Sequence, residues 1–547
     1  MQQEKLFNQL KQNALLIAIT AFVLAALFFV NLGGYGLFDV DEPRYAEAAR
    51  EMLLRHDWIT PYFNQLVRFD KPVLHYWLIA TSYTVFGISE WAARLPSALT
   101  ALGTCLLMGH WVRQETQNVK TGLLAVLASA ACIEVIGLAR MSVTDMTLTF
   151  FLLATWVALF YTIHKSQKFW LLAGVLSGLA TLTKGPVGIV LPGLLALISA
   201  FWSKRFKATF LTPWFLIGLV CWALVTLPWY WAAYAANGQA FLDALVLHNV
   251  TRYGDVVSGH KQIPGFYAIV LLVGFLPWTP YLPAITGWLK KALNAPAESL
   301  NLARSAAIWA VGVFVFYAVA KTQLLTYILP VFPSLAVLLT LCLQDQRIWA
   351  QPQGFLPKAL KIGAWVLPVL LVIPAILLVT MPAKLLPREA STLTGGDPLF
   401  ILPLGVLITG SAVSAWLMSR LKPNKALVMQ ACTMAMVAIT AVYTVVPKVN
   451  AATQGCLQDF LARVGTQPLA TYEIQKPSLV FYHPAHRVPH FATDEVPELL
   501  LQASKTPAQS LWVITKPRFV GALGSAVASQ QDCGRYSLLQ VRFLPSK

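Results

Sequence analysis

Charge is scarce in this chain. Only 12% of its 547 residues are Asp, Glu, Lys or Arg, roughly half the share of an ordinary soluble protein. That shortage excludes a soluble globular enzyme and points to the bilayer, as does a mean hydropathy of +0.61. Internal repeats are not evident, which weighs against a transporter assembled from duplicated halves. Low-complexity segments are missing, and so are the HExxH and CxxC spacings of common zinc sites. Cysteines number seven and are scattered. Cys105, Cys132, Cys221, Cys342 and Cys432 fall in apolar stretches, as inert packing residues. Cys456 and Cys533 fall in a polar tail. They can pair if that tail meets an oxidising compartment, a point that spacing alone leaves open.

What is present is a series of apolar runs near twenty residues, the length that crosses a hydrocarbon core as a helix. About thirteen are expected, near 13–31, 94–112, 121–139, 146–163, 169–184, 186–202, 211–232, 266–286, 304–321, 325–343, 360–381, 398–419 and 426–446. The first has no small-residue cleavage site and reads as a retained helix rather than a signal peptide. The apolar stretch from Val73 to Gly87 is short and carries His75, Tyr76 and Trp77, which suits a re-entrant or interfacial segment. The chain thus divides into a membrane domain, 1–446, and a tail, 447–547. In the tail "SLWVIT" and "YSLLQVRFL" read as strands and "DEVPELLLQAS" as a short helix, giving a small α/β domain.

The net charge of +17 does not call for nucleic acid. Basic residues cluster in alternate short loops, at Lys165 and Lys168, Lys204 to Lys207, Lys290 and Lys291, Arg347 to Lys361, and Arg420 to Lys425. The positive-inside rule puts those loops in the cytoplasm. The loop 32–93 and the tail then face outward, to the periplasm if the cell is Gram-negative.

The first outward loop holds "GLFDVDEPRYAEAAREML", with charges crowded at the exit of the first span. Tyr45, Ala48, Ala49 and Met52 recur at helical spacing, so a short amphipathic helix begins near Pro43, a residue suited to a first turn. Asp41 and Glu42 would serve its positive end, and Glu47, Arg50 and Glu51 would pair along it. The neighbouring Asp39 and the position at a membrane mouth favour a carboxylate that acts on a ligand instead. "VRFDKPVLHYW" places Lys71 at the interface, either snorkelling above Tyr76 and Trp77 or meeting a lipid phosphate. Asp145 starts one span; Lys184, Lys321 and Tyr327 lie at other span ends on the outward side. Single charges there often anchor a helix. Two lysines placed against the positive-inside trend also suit an anionic ligand. His248, Arg252 and His260 share another outward loop, and His248 with Asp70 or His483 is a candidate metal set.

Cations gathered with carboxylates on one face suit a lipid with a phosphate head, and a carboxylate that activates an acceptor or supports a cation-like transition state at a sugar carbon. At "FDVDEPRYAEAAREML", "FDKPVLHYWL", "TDMTLTF", "TKGPVGIV" and "KTQLLTYILPVFPSLAVLL" the chain resembles the lipid A aminoarabinose transferases. These are undecaprenyl phosphate-α-4-amino-4-deoxy-L-arabinose arabinosyltransferases, relatives of the protein O-mannosyltransferases. The resemblance follows the chain in order, tail included. It implies a polytopic α-helical GT-C glycosyltransferase in the bacterial inner membrane, active at the periplasmic face and tied to lipopolysaccharide modification and polymyxin resistance. The reaction implied is an inverting transfer of a sugar from undecaprenyl phosphate to a phosphate of lipid A. By motif position Asp41 is the principal catalytic carboxylate, Arg44 holds it, and Asp145 is the second acidic position. Glu42, Tyr45, Lys71, Tyr76, Lys184, Arg252, Lys321 and Tyr327 are assigned to carrier and headgroup contacts. Asp70, His248 and His483 are assigned to a divalent metal such as Zn, Mg or Mn, with no nucleotide or organic cofactor expected. Many relatives have Glu-Lys-Pro where this chain has Asp70-Lys71-Pro72, which weakens the metal site. Other sugars, or a protein or glycan acceptor, are compatible with the wider family. A flippase for a lipid-linked sugar is the competing class, disfavoured because the ionisable groups cluster at outward span ends rather than along a path to both sides.

Overall fold

The computed structural model of the chain describes residues 2–247, 263, 265–293, 300–380, 398–506 and 510–542. His248, Arg252 and His260 lie outside these residues. Among the described residues, nine helices are long and apolar enough to cross a membrane, and eleven if two bent pairs each count as one span. The two remaining expected spans fall on Phe169–Lys184 and Val187–Trp202, helices of 16 residues each. At a rise of 1.5 Å per residue such helices reach only about 24 Å. Each of the thirteen expected spans thus falls on a helix or a bent pair, in order, but among the described residues only nine to eleven are long and apolar enough to cross. The chain is a multi-pass membrane protein.

Helix α1, Gln2–Phe28, leads into the charged loop. There α2, Asp41–Arg55, buries Tyr45, Ala48, Ala49 and Met52 on one face. It begins two residues before Pro43, and Arg50 pairs with Glu47 while Arg55 pairs with Glu51 at 2.6 Å. A tight hairpin follows, with β1 Tyr62–Phe63 and β2 Leu66–Val67 joined by Asn64 and Gln65. Both turn residues have positive φ, 54° and 68°, the backbone that two-residue hairpins require. Next comes α3, Leu74–Phe86, of 13 residues, too short to span, which packs on α2 and on α4, Glu90–Thr116. Helices α5, Val119–Ala130, and α6, Ile133–Ala139, form a pair bent by 71°. Then α7, Thr144–His164, runs through the interior, with α8, Phe169–Lys184, and α9, Val187–Trp202, beside it.

The last membrane helix, Pro423–Val464, spans 42 residues. It passes through the expected 446/447 boundary without a break, so the tail domain is carried on a continuous helical stalk. Beyond it β3 Leu469–Tyr472, β4 His490–Phe491, β5 Ser510–Thr515, β6 Val527–Cys533 and β7 Tyr536–Arg542 form one mixed sheet in the order β4-β3-β5-β7-β6. The helix Val496–Ser504 packs on it. Cys456 on the stalk and Cys533 at the end of β6 form a disulfide, their Cα atoms 5.6 Å apart. The tail thus joins the stalk covalently as well as through its apolar core.

Candidate active site

One buried clamp sets the geometry. Arg94, in α4, and Glu42, in α2, are both fully buried and pair at 2.9 Å. The Arg94 guanidinium also donates to the carbonyls of Leu32, Tyr35 and Gly36, each at 2.9 Å, and stacks 4.0 Å from the Tyr35 ring. Glu42 accepts from the Phe38 amide at 2.9 Å and the Ser142 amide at 2.7 Å. Its carboxylate is committed to the protein interior, so Glu42 is a positioning residue and not the substrate contact expected from its motif position. The clamp has a consequence for chemistry. Asp41 adjoins Glu42 and is exposed, and Ser142 lies three residues before Asp145. The two acidic positions are fixed in register by one buried ion pair.

Around Asp145, Lys184 from the end of α8 donates to the carboxylate at 2.5 Å. Its ammonium stands 4.4 Å from the centre of the Tyr327 ring, a cation–π contact, and Tyr327 in turn packs on Tyr317. Thr326 also bonds Asp145, and Lys71 lies within Coulombic reach of it. Of the residues singled out in the sequence, Lys184 therefore binds Asp145 directly, Tyr327 packs on Lys184, and Lys71 acts on Asp145 through its charge. Lys321 stands exposed on the connection leading to Tyr327. Tyr45 and Tyr76 are buried with His75 in an aromatic cluster, centroids 5.6–5.7 Å from Tyr45. They are buried rather than forming an open contact surface; Tyr45 lies within Coulombic reach of both Asp41 and Asp145.

A cavity of about 620 Å³ opens between the first loop and the tail domain. Arg44, Arg68 and Asp70 line one side; Lys476 and His490 line the other. Arg68 pairs with Asp70 at 2.7 Å. Arg44 is half-buried, and that burial, with Arg68 nearby, lowers its proton affinity while Asp41 and Asp70 pull the other way. The tail is held over this cavity by several bonds. Asp39 accepts from the Ser478 amide at 2.8 Å and hydroxyl at 2.6 Å. Asn64 exchanges two bonds with Val488, and the Tyr482 hydroxyl accepts from the Leu37 amide at 2.8 Å. Asp39 is thus a fastening between loop and tail. Burial pushes its carboxyl up from the ordinary range, opposed by Ser478 and Lys476.

The expected metal set does not fit the described residues. The His483 ring uses both nitrogens inside the tail, Nδ1 accepting from the Ala485 amide at 3.2 Å and Nε2 donating to the Gln467 carbonyl at 3.0 Å. Asp70 is held by Arg68. Among the described residues no three His, Cys, Asp or Glu side chains come together.

Arg94, Arg68, Lys476 and Glu134 were not among the residues assigned roles from the sequence. Arg94 and Glu134 each had a signal: a lone charge inside an expected span, which a bilayer tolerates only with a purpose. Lys476 had none, since only folding carries the tail to the first loop.

Residues 70–231 match the family described as dolichyl-phosphate-mannose-protein mannosyltransferase. The chain is 32% identical over 333 residues to an undecaprenyl phosphate-α-4-amino-4-deoxy-L-arabinose arabinosyl transferase of Shewanella sediminis, covering 59% of each chain. It is 29% identical over 323 residues to the transferase of that name from Erwinia tasmaniensis, covering 58% of this chain and 57% of that one. With the Yersinia pestis transferase it shares 32% over 339 residues, 60% of this chain and 59% of the relative. These matches span less than two thirds of the relatives' own length. Among solved structures, ArnT from Cupriavidus metallidurans bound to undecaprenyl phosphate superposes with a TM-score of 0.79 at 22% identity, covering 96% of this chain and 98% of that one. Its apo form gives the same score, with 97% and 98% covered. That likeness shows the fold: a GT-C bundle with a small C-terminal sheet domain, as the sequence led us to expect.

Proposed function

We propose that the protein is an inverting glycosyltransferase that moves 4-amino-4-deoxy-L-arabinose from undecaprenyl phosphate to a phosphate of lipid A. The reaction is placed at the periplasmic face of the inner membrane. The Cys456–Cys533 disulfide supports an oxidising side for the tail, and the basic loops support a cytoplasmic side opposite it.

The observation that carries this reading is the Asp145–Lys184 pair, capped by Tyr327 and under the charge of Lys71, together with a separate cavity lined by Arg44, Arg68 and Lys476. Lysine ammoniums neutralise the carrier phosphate. Asp145 holds Lys184 in place for that task. Arg44, Arg68 and Lys476 line a second anionic site, suited to the acceptor phosphate arriving under the tail. An oxygen of the acceptor phosphate attacks the anomeric carbon from the face opposite the carrier. The bond from that carbon to the carrier oxygen breaks, and undecaprenyl phosphate leaves with its electron pair and negative charge. A phosphate acceptor is already anionic near neutral pH, so no proton need be removed. Asp41 then orients the acceptor and balances the positive charge that grows at the sugar carbon.

Carrier binding tests the cation cluster directly. Undecaprenyl phosphate titrated into the detergent-solubilised protein should bind Lys71→Ala and Lys184→Met at least about tenfold more weakly than the wild type, the loss expected for one charge-assisted contact. Lys358→Ala, in a basic loop of the opposite side, should bind normally. Equal affinity in all four proteins would contradict the assignment.

A further inference from the structure

Two broken spans meet at Glu134. The α5–α6 pair bends by 71°, and Phe266–Gly274 with Thr279–Leu293 bends by 105°. The breaks are bonded to each other: the Ile133 amide donates to the Leu276 carbonyl at 2.9 Å, and the Trp278 indole to the Ala128 carbonyl at 2.8 Å. Gly274 permits this approach, since a Cβ there would stand 3.1 Å from the Glu134 Cβ and 2.5 Å from the Phe332 ring. Interrupted helices at membrane depth are tolerated where they are buried in protein or line a polar cavity.

At this junction Glu134 Oε1 is buried without a hydrogen-bond partner, a state that costs free energy until something fills it. Glu134 lies within Coulombic reach of Asp145, and α6 packs on α7. The nearby Lys184 is already engaged by Asp145 at 2.5 Å. His75, wholly buried and also within reach of Asp145, donates or accepts through Nδ1 with Thr147 at 3.1 Å and keeps Nε2 without a partner. Two unpartnered polar groups thus lie within Coulombic reach of Asp145, one of them an acid. A phosphate satisfies neither requirement of the acid. A cationic, hydroxyl-bearing head group does.

We propose that Glu134 is a specificity residue that receives the protonated amino group of the donor sugar. This rests on the aminoarabinose reading above and adds what distinguishes that sugar from a neutral pentose. The lysines recognise the carrier's anion; the carboxylate recognises the sugar's cation. An acylated, neutral nitrogen would leave the buried carboxylate without its counter-charge, the kind of mismatch that binding sites reject strongly.

The test compares two donors with the full-length protein: undecaprenyl phosphate carrying the amino sugar, and the same donor N-formylated. Wild type should prefer the free amine. Glu134→Gln, nearly isosteric, should lower kcat/KM for the amine donor roughly 100-fold more than for the formylated one, so that the preference collapses, while Glu134→Asp should keep part of it. A purely structural role would depress both donors alike, and that result, or an unchanged preference, would overturn the inference. Wild-type protein that transfers neither donor would instead overturn the transferase reading, and this inference with it.

Discussion

Arg94 is the residue on which the site's geometry depends most. It makes five hydrogen bonds and a ring contact in a place with no access to water. Arg94→Met would strand Glu42 as a buried, uncompensated charge, and should cost about 3–5 kcal/mol. Adding Glu42→Gln to that variant should recover much of the loss, because the stranded charge is then gone. Thermal unfolding in detergent measures both, and strict additivity of the two substitutions would contradict the clamp. The sequence shows Arg94 only as one charge near the start of an apolar run, in "WAARLP". Its partner could not be read, because Glu42 looked equally at home as a helix-terminal acid or as a ligand group. Asp41 and Glu42 are adjacent and chemically alike; only burial separates the exposed one from the interior one.

Among elements, the strongly periodic ones were legible. The α2 face follows from its spacing, and β5 and the Val496–Ser504 helix fall where alternation and periodicity place them. The bends in α5–α6 and in the Phe266–Leu293 pair were not legible, since hydropathy averages across a break. The segment after Pro477–Tyr482 has its own pH response. Burial lowers the proton affinity of both His483 and His486 below the ordinary histidine value, and His486 Nδ1 has no hydrogen-bond partner. Above pH about 6.5 both folded and unfolded tails hold these rings neutral. As pH falls below that value, the unfolded tail takes up protons that the folded tail resists, so stability falls. Limited proteolysis of the tail should therefore quicken between about pH 7 and 5. A combined His483→Asn, His486→Asn variant should flatten that response, whatever its stability at pH 8. A slope unchanged in the variant would place the titrating groups elsewhere.

At the scale of the whole molecule, the proposed reaction draws on the bundle, the first loop and the tail. The bundle supplies Asp145, Lys184 and Tyr327; the first loop supplies Asp41 and Arg44; the tail, fastened through Asp39 and Asn64, closes the cavity with Lys476 and His490. Membrane class, span order and the composition change near 447 were readable because each is a sum over many residues. The closure was not, because Asp39 and Ser478 are 439 positions apart and nothing local pairs them. Of the expected metal residues, Asp70 and His483 are held by Arg68 and by the tail's own backbone, partners that the sequence did not show, and His248 lies outside the described residues. The most direct measurement is mass spectrometry of lipid A from a host that lacks its own aminoarabinose transferase but makes the carrier-linked sugar. Expression of this protein should add the mass of aminoarabinose to lipid A, and Asp41→Asn, at equal membrane abundance, should abolish at least about 99% of it, a barrier increase of roughly 2.7 kcal/mol or more. Unmodified lipid A from cells with abundant, folded wild-type protein, or full modification by Asp41→Asn, would contradict the account.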